Sequence, residues 1–482
     1  MEFRIRGAEL LAVAGVALAA AEWTDEWIAA YALVVLWLGF RLLFTTDRIP
    51  VLFAAFAYQW MQTSIGVFYS AFTGHVLKAQ VETDFRRMML LGLTALLALA
   101  VGLRLGIALI RDEQEHREER PLTMLTWRGL MLTYVASIVL EGTVLSMVLD
   151  YPTLRQILVT ITAARLGVLF LVLRRVSQPV FRAQMFAAVL LFEVGLGLTG
   201  YFAGFREPIV IGAIVLAQVF DTRKPAHWAT AAVVVAMGSL LAVMWMGVRS
   251  QYRAAMDEMD PMLQTSGGRV TRVQSLGAEF FSTGASQFQD TTDKLIDRMW
   301  AVYYPGLALP RVPAVIPHTG GAFLTEALVA MVTPRVIFTG KAPLVSDSEK
   351  VRKYSGTFVA GAEVGTTIAF GYVIESYIDF GTPGMFVPIF VFGLAMGAVY
   401  AWFLRVMWHR ELAAAVVLVV YWISLFLFER SWASLLGNSA SLILYLGVPV
   451  VLLDRFLSRR GRRKEVRAFG STYSHLSEAD SR

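Results

Sequence analysis

Apolar residues run along this chain in stretches of about 20 positions separated by short charged turns, a rhythm that predicts an all-α, polytopic transmembrane bundle. About twelve stretches can be marked, at 8–21, 27–44, 49–72, 88–110, 127–149, 154–173, 183–203, 209–220, 226–248, 383–404, 412–428 and 436–456. One interruption of about 115 residues, from Arg249 to Glu363, breaks this ladder between the ninth and tenth stretches. It carries Arg272, Lys294, Arg298, Arg311, His318, Arg335, Lys341, Lys350, Arg352 and Lys353. A charged insertion of that size predicts work other than spanning, and its cations suit an anionic ligand. The chain divides into a membrane part at 1–248, an extracytoplasmic loop with amphipathic helices at 249–381, a second membrane part at 382–457 and a basic tail at 458–482.

Inside the insertion, Phe288, Leu295, Met299 and Val302 recur at helical spacing with Asp290, Asp293, Lys294 and Asp297 between them. That pattern predicts a lid helix from about Gln289 to Tyr303 lying on the membrane face, with those four apolar residues toward apolar surroundings. A second short helix is expected over Ala322–Val332, stopped by Pro334.

Composition narrows the class. With 56% hydrophobic residues and a mean hydropathy of +0.58, the chain is too apolar for a soluble protein. The first apolar run follows only two basic residues and lacks a small-x-small cleavage pattern, so it reads as a retained helix. Cysteine is absent, which excludes disulfides, thiolate metal sites and cysteine nucleophiles. The net charge of +6 sits largely in the tail Arg459–Lys464 and in short loops, where it signals topology rather than nucleic-acid binding. A cytoplasmic N-terminus puts Arg41, Arg48, the run from Arg111 to Arg128, Arg174, Arg175, Arg182, Arg223, Lys224, Arg405, Arg410 and the tail inside; both termini are then cytoplasmic.

Three groups of polar residues are candidates for chemistry. Arg206, in a short outer turn between the seventh and eighth stretches, suits a phosphate or diphosphate because a guanidinium stays charged and offers paired donors; it also suits an interfacial anchor paired with Glu207. Arg311, His318, Arg335 and Lys341, followed by Glu363, Glu375 and Asp379, form the second group. His318 fits a general base or a solvated loop histidine, and Glu375 and Asp379 fit orienting groups or helix-start electrostatics. Glu141, Arg165 and Glu193 fall near mid-depth of three spans, where they must pair or line a polar cavity. The chain has no P-loop, no G-x-S-x-G elbow and no H-E-x-x-H, and its six histidines are scattered, so neither metal nor cofactor is expected.

The string Thr333-Pro-Arg335-Val-Ile-Phe-Thr-Gly-Lys341-Ala-Pro343, then Gly371-Tyr-Val-Ile-Glu375-Ser-Tyr-Ile-Asp-Phe-Gly381-Thr-Pro-Gly384 entering a span, resembles the Wzy-like oligosaccharide repeat-unit polymerases of bacterial O-antigen and exopolysaccharide assembly. Arg206 is similar to that family's arginine in an earlier periplasmic loop, whereas Ala342 between Lys341 and Pro343 departs from its Lys-Pro pair. The resemblance implies a metal-independent glycosyltransferase of the GT-C-like O-antigen polymerase and ligase group in the bacterial inner membrane. It implies an undecaprenyl-diphosphate-linked oligosaccharide as substrate, with Arg206, Arg335 and Lys341 on the diphosphate and Glu375 catalytic; the residue reading adds Arg311 to the diphosphate set and His318 as the base. The lipid bilayer, a chain-length regulator and a flippase are the implied partners. An O-antigen ligase fits the same motifs, and a lipid-linked sugar flippase or proton-coupled transporter fits the mid-depth charges.

Overall fold

The computed structural model describes residues 7–458 apart from 45–48, 111–125, 151–153, 179–181, 199–205, 222, 258–273, 276, 279–281, 283–284, 334–337, 339–343 and 362–366. Among the described residues all regular structure is helical, and every apolar stretch marked in the sequence forms helix. Among the described residues six helices are long and apolar enough to cross a membrane: Gly7–Thr24, Phe85–Leu109, Gln156–Ser177, His227–Val248, Phe386–Val406 and Trp432–Ser458. Others are shorter, such as Trp27–Leu43, Arg206–Val219 and Arg410–Leu425. Val51–Thr73 has the length, yet it buries Gln59, Gln62, Thr63 and Ser64.

An extensive helix contact joins distant parts of the chain, Phe85–Leu109 to Phe386–Val406. Each contributes a pair of glycines four residues apart, Gly102 with Gly106 and Gly393 with Gly397. A methyl group added at Gly106 would sit 2.1 Å from the Leu394 carbonyl oxygen, and one at Gly397 2.2 Å from that of Leu103. Backbone therefore meets backbone, as small-residue stripes permit where apolar surroundings offer helices little hydrophobic drive to associate. Buried Leu96, Leu99, Ile389 and Met396 complete the seam.

The insertion is packed onto these helices. Its amphipathic helix is Ala285–Met299, four residues short of the expected end at Tyr303. It stops there because Trp300 turns inward: its ring lies where a side chain on Gly66 would be, its Nε1 donates to the Thr63 carbonyl at 2.8 Å, and Ala301 N donates to the Gln62 carbonyl at 2.8 Å. The buried stripe runs through Thr291 and Ile296, with Leu295 and Met299 half-buried and Val302 buried in the turn beyond. Phe288, on the same side at the start of this stripe, is 41% exposed. The helix's polar edge is tied down as well, with Asp293 accepting from Tyr69 and lying 2.8 Å from His75 Nδ1. Burial alone would raise the Asp293 pKa, but hydrogen bonds from Tyr69 and His75 hold it below the usual carboxylate range.

Three further segments follow: Ala322–Val332, Asp347–Ser355 and Tyr372–Gly384. The last breaks at Gly381, whose φ of +65° lies in the left-handed region, so its first part ends at Phe380.

Candidate functional site

The site is organised around the loop that joins Arg410–Leu425 to Trp432–Ser441. Phe426, Phe428 and Ser431 of this loop are buried, and a buried peptide group needs a partner. Two glutamines of Val51–Thr73 supply them: Gln59 Nε2 donates to the Leu425 carbonyl, Gln62 Nε2 to that of Phe426 at 3.0 Å, and Phe428 N returns a bond to Gln62 Oε1 at 2.9 Å. Tyr372 clamps the far side, its hydroxyl on Gln59 Oε1 at 2.8 Å and its N–H on the Arg430 carbonyl at 2.6 Å. Gln59 and Gln62 are eight and eleven residues into a 23-residue helix. At about 1.5 Å per residue, the loop lies level with the middle of that helix.

Two guanidiniums meet at this loop. The Arg206 Cζ lies 4.4 Å from the centre of the Phe426 ring and the Arg430 Cζ 5.3 Å from it. Arg430 Nη1 donates to the carbonyls of Ile423 and Ser424, the latter at 3.2 Å. Arg206 stands at the first residue of Arg206–Val219 and donates to Glu207 through Nη2 at 2.5 Å. Burial, and then the neighbouring positive charge of Arg206, bring the Arg430 pKa down to about 10. Like charges held at one ring favour an anion between or beside them, and each guanidinium brings planar, paired donors.

A second charged cluster lies behind the loop. Buried Lys350 is 3.0 Å from a Glu326 oxygen, 4.0 Å from a Glu375 oxygen and 4.7 Å from the centre of the Phe323 ring. Burial works against its charge, but Glu375, Glu326 and Asp347 together keep its pKa above the usual lysine range. Glu375 is 1% exposed and accepts from Trp432 N at 2.6 Å; burial pushes its pKa up to about 8. It faces protein on every side, which gives it a positioning role, holding Trp432 and with it the Arg430 loop.

His318 sits at the other end of the Tyr372–Phe380 segment. Its Nδ1 is 3.2 Å from the Ile378 carbonyl, which can only accept, so Nδ1 carries a hydrogen and donates. Nε2 points toward the notch left by Gly381, where a methyl group would come within 2.9 Å of it. Asp379 fixes the loop around it, accepting from the Thr319 hydroxyl and from the N–H groups of Phe323 at 3.1 Å and Leu324 at 2.9 Å.

The model of a family described as a domain of unknown function, DUF8712, matches residues 53–402. The chain belongs to the DUF8712 family. No curated protein sequence and no solved structure matches it. The DUF8712 match takes in Arg206, the Lys350 cluster and His318, and ends before Arg430.

Within this DUF8712 chain the other candidates fall out as follows. Arg335, Lys341 and Glu363 lie outside the described residues, as does the tail beyond Ser458. Arg311 lies against Gly356, at the end of Asp347–Ser355, its Cζ 2.7 Å from where a Gly356 methyl would be, and its Nε is buried. Glu141, Arg165 and Glu193 come together, with Arg165 between both carboxylates, at 2.5 Å from Glu193, and Tyr134 donating to Glu193. Sequence reasoning leaves Arg430, Gln59 and Gln62 unassigned. Their signal is polar residues inside or between apolar runs, Gln59-Trp-Met-Gln62 and Phe428-Glu-Arg430.

Proposed function

We propose that this chain is a polytopic glycosyltransferase of the bacterial inner membrane, with about twelve crossings and both termini cytoplasmic. It polymerises undecaprenyl-diphosphate-linked oligosaccharide units by block transfer at the outer face. The observation that carries the reading is the pair of guanidiniums, Arg206 and Arg430, held at Phe426. In the proposed step a hydroxyl of the incoming unit attacks the anomeric carbon of the growing chain. The anomeric C–O bond to the lipid diphosphate breaks, the new glycosidic bond forms, and the hydroxyl proton passes to His318 Nε2. Arg206 and Arg430 take up the charge developing on the departing diphosphate. Tyr372 holds the Arg430 loop and Ile378 holds His318, on one helix. The two attachment points lie six residues, about 9 Å of helix rise, apart along that segment.

Purified protein in vesicles, given the lipid-linked oligosaccharide, should produce a ladder of polymers. Arg206→Lys and Arg430→Lys should each slow it about tenfold or more, because a point charge does not reproduce the planar fork. His318→Ala should lower kcat. Wild-type rates in all three at matched folded protein would overturn the reading.

One observation favours a second reading, a proton-coupled carrier of the same lipid-linked sugars: the Glu141–Arg165–Glu193 group joining Trp127–Asp150, Ala164–Ser177 and Ala183–Leu198. Proton-dependent uptake of labelled substrate without polymer, abolished by Glu193→Gln, would make the carrier the better account.

A further inference from the structure

The helix Ala322–Val332 belongs to the insertion by sequence, yet it lies alongside Trp432–Ser441, the beginning of the candidate span Trp432–Ser458. Its two faces differ. Phe323 and Ala327 are buried, and half-buried Glu326 turns inward to Lys350. The opposite face presents Leu328, Val329 and Val332 at 43%, 51% and 65% exposure. These recur at helical spacing with Ala322 and Thr325, so the outward stripe has one hydroxyl and no charge. In water such a stripe would be an unusual apolar patch on a charged insertion. The span it lies beside also exposes apolar surface of its own, with Leu444 at 57% exposure.

We propose that Ala322–Val332 is a membrane-embedded half-helix whose Leu328, Val329 and Val332 contact lipid hydrocarbon, so that the Lys350 cluster sits directly behind a wall one helix thick. The length fits: eleven residues make about 16 Å of helix, half of the roughly 30 Å apolar layer. The ends fit as well. The first turn would leave its N–H groups unpaired in hydrocarbon, and the carboxylate of Asp379, on the Tyr372–Gly384 segment, accepts two of them. Glu326, the helix's one charge, points away from the lipid face into its ion pair with Lys350, as an acidic residue at membrane depth requires. The partner assigned to this surface is the hydrocarbon chain of membrane lipid, and the assignment does not depend on any catalytic reading.

The chain has no cysteine, so single-cysteine labelling needs no background removal. Val329→Cys and, separately, Val332→Cys carry a bimane label in vesicles of phosphatidylcholine with dibrominated acyl chains. Leu444→Cys serves as the span reference and Lys294→Cys, on the exposed polar side of Ala285–Met299, as the aqueous reference. Bromolipid should quench labels at 329 and 332 by about the same factor as at 444, and aqueous iodide should quench them several-fold less than at 294. Iodide quenching at the level of 294 with no bromolipid effect at both positions would overturn the proposal. Protection from both quenchers, with crosslinks between chains, would also overturn it by assigning the face to a second copy.

Discussion

Glu375 shows how a single side chain ties the insertion to the span helices. One oxygen accepts the Trp432 N–H, another lies 4.0 Å from Lys350, and burial holds its pKa near 8 against an ordinary 4.5. Between those two values the folded protein keeps a proton that the unfolded chain has released. Stability should therefore fall as pH rises from about 4.5 to 8, with a slope of at most about 1.4 kcal/mol per pH unit from this group. Glu375→Gln keeps an acceptor for Trp432 and removes the titration. Thermal unfolding in detergent should find the variant close to wild type at pH 5 and relatively more stable at pH 8.5; parallel pH curves would show that Glu375 does not titrate there. In the sequence Glu375 is recognisable as a carboxylate entering a span, but not as a buried one, because its burial comes from Trp432 and Lys350, both distant along the chain. Arg206 is legible for the opposite reason: its chemistry follows from its place in a short turn. Its actual neighbour at Phe426, Arg430, lies more than two hundred residues on and has no local signature beyond being charged between apolar helices.

Individual elements follow local pattern closely wherever one face or one composition decides them. The apolar stretches become helices, and Ala285–Met299 shows the expected amphipathic spacing. What local pattern misses is the last turn: spacing through Val302 continues, but Trp300 leaves the helix for the space above Gly66. The glycine seam is an element-scale feature readable only in retrospect, since two G-x-x-x-G pairs almost three hundred residues apart do not announce each other. Gly106→Leu should cost about 3 kcal/mol or more, because the obstacle is the Leu394 carbonyl and backbone cannot step aside as a side chain can. The matched control is Gly15→Leu in Gly7–Thr24, where nothing lies within 4 Å of an added methyl. Folded yield and unfolding temperature should drop for the first and hold for the second. An equal response would mean that the two helices are not closely packed in the membrane.

At the scale of the whole molecule, hydropathy predicts an insertion set apart from the bundle, whereas Trp300, Asp347, which accepts from the Ser431 hydroxyl, and Ala322–Val332 each bind it into the bundle. That docking is invisible to a sliding window because it is made by few residues, and most of them are polar. The Glu141–Arg165–Glu193 group performs the same service between three helices, and with Glu193 fully buried its charges demand mutual pairing. Removing one partner and removing the group should have opposite consequences. Arg165→Leu leaves Glu193, fully buried, and Glu141 without their cation and should lower folded yield sharply, at a cost of about 3–5 kcal/mol. The triple variant Glu141→Gln, Arg165→Leu, Glu193→Gln carries no unpaired charge and should recover most of that yield, with Tyr134 still able to donate to residue 193. Size-exclusion chromatography of detergent-solubilised protein measures the folded fraction of each. Recovery of yield together with polymer formation would make the group a structural clasp. Recovery of yield with loss of all activity would place the three charges in the working path of the protein, and a triple variant no better folded than Arg165→Leu alone would show that the pairing is not what holds these helices together.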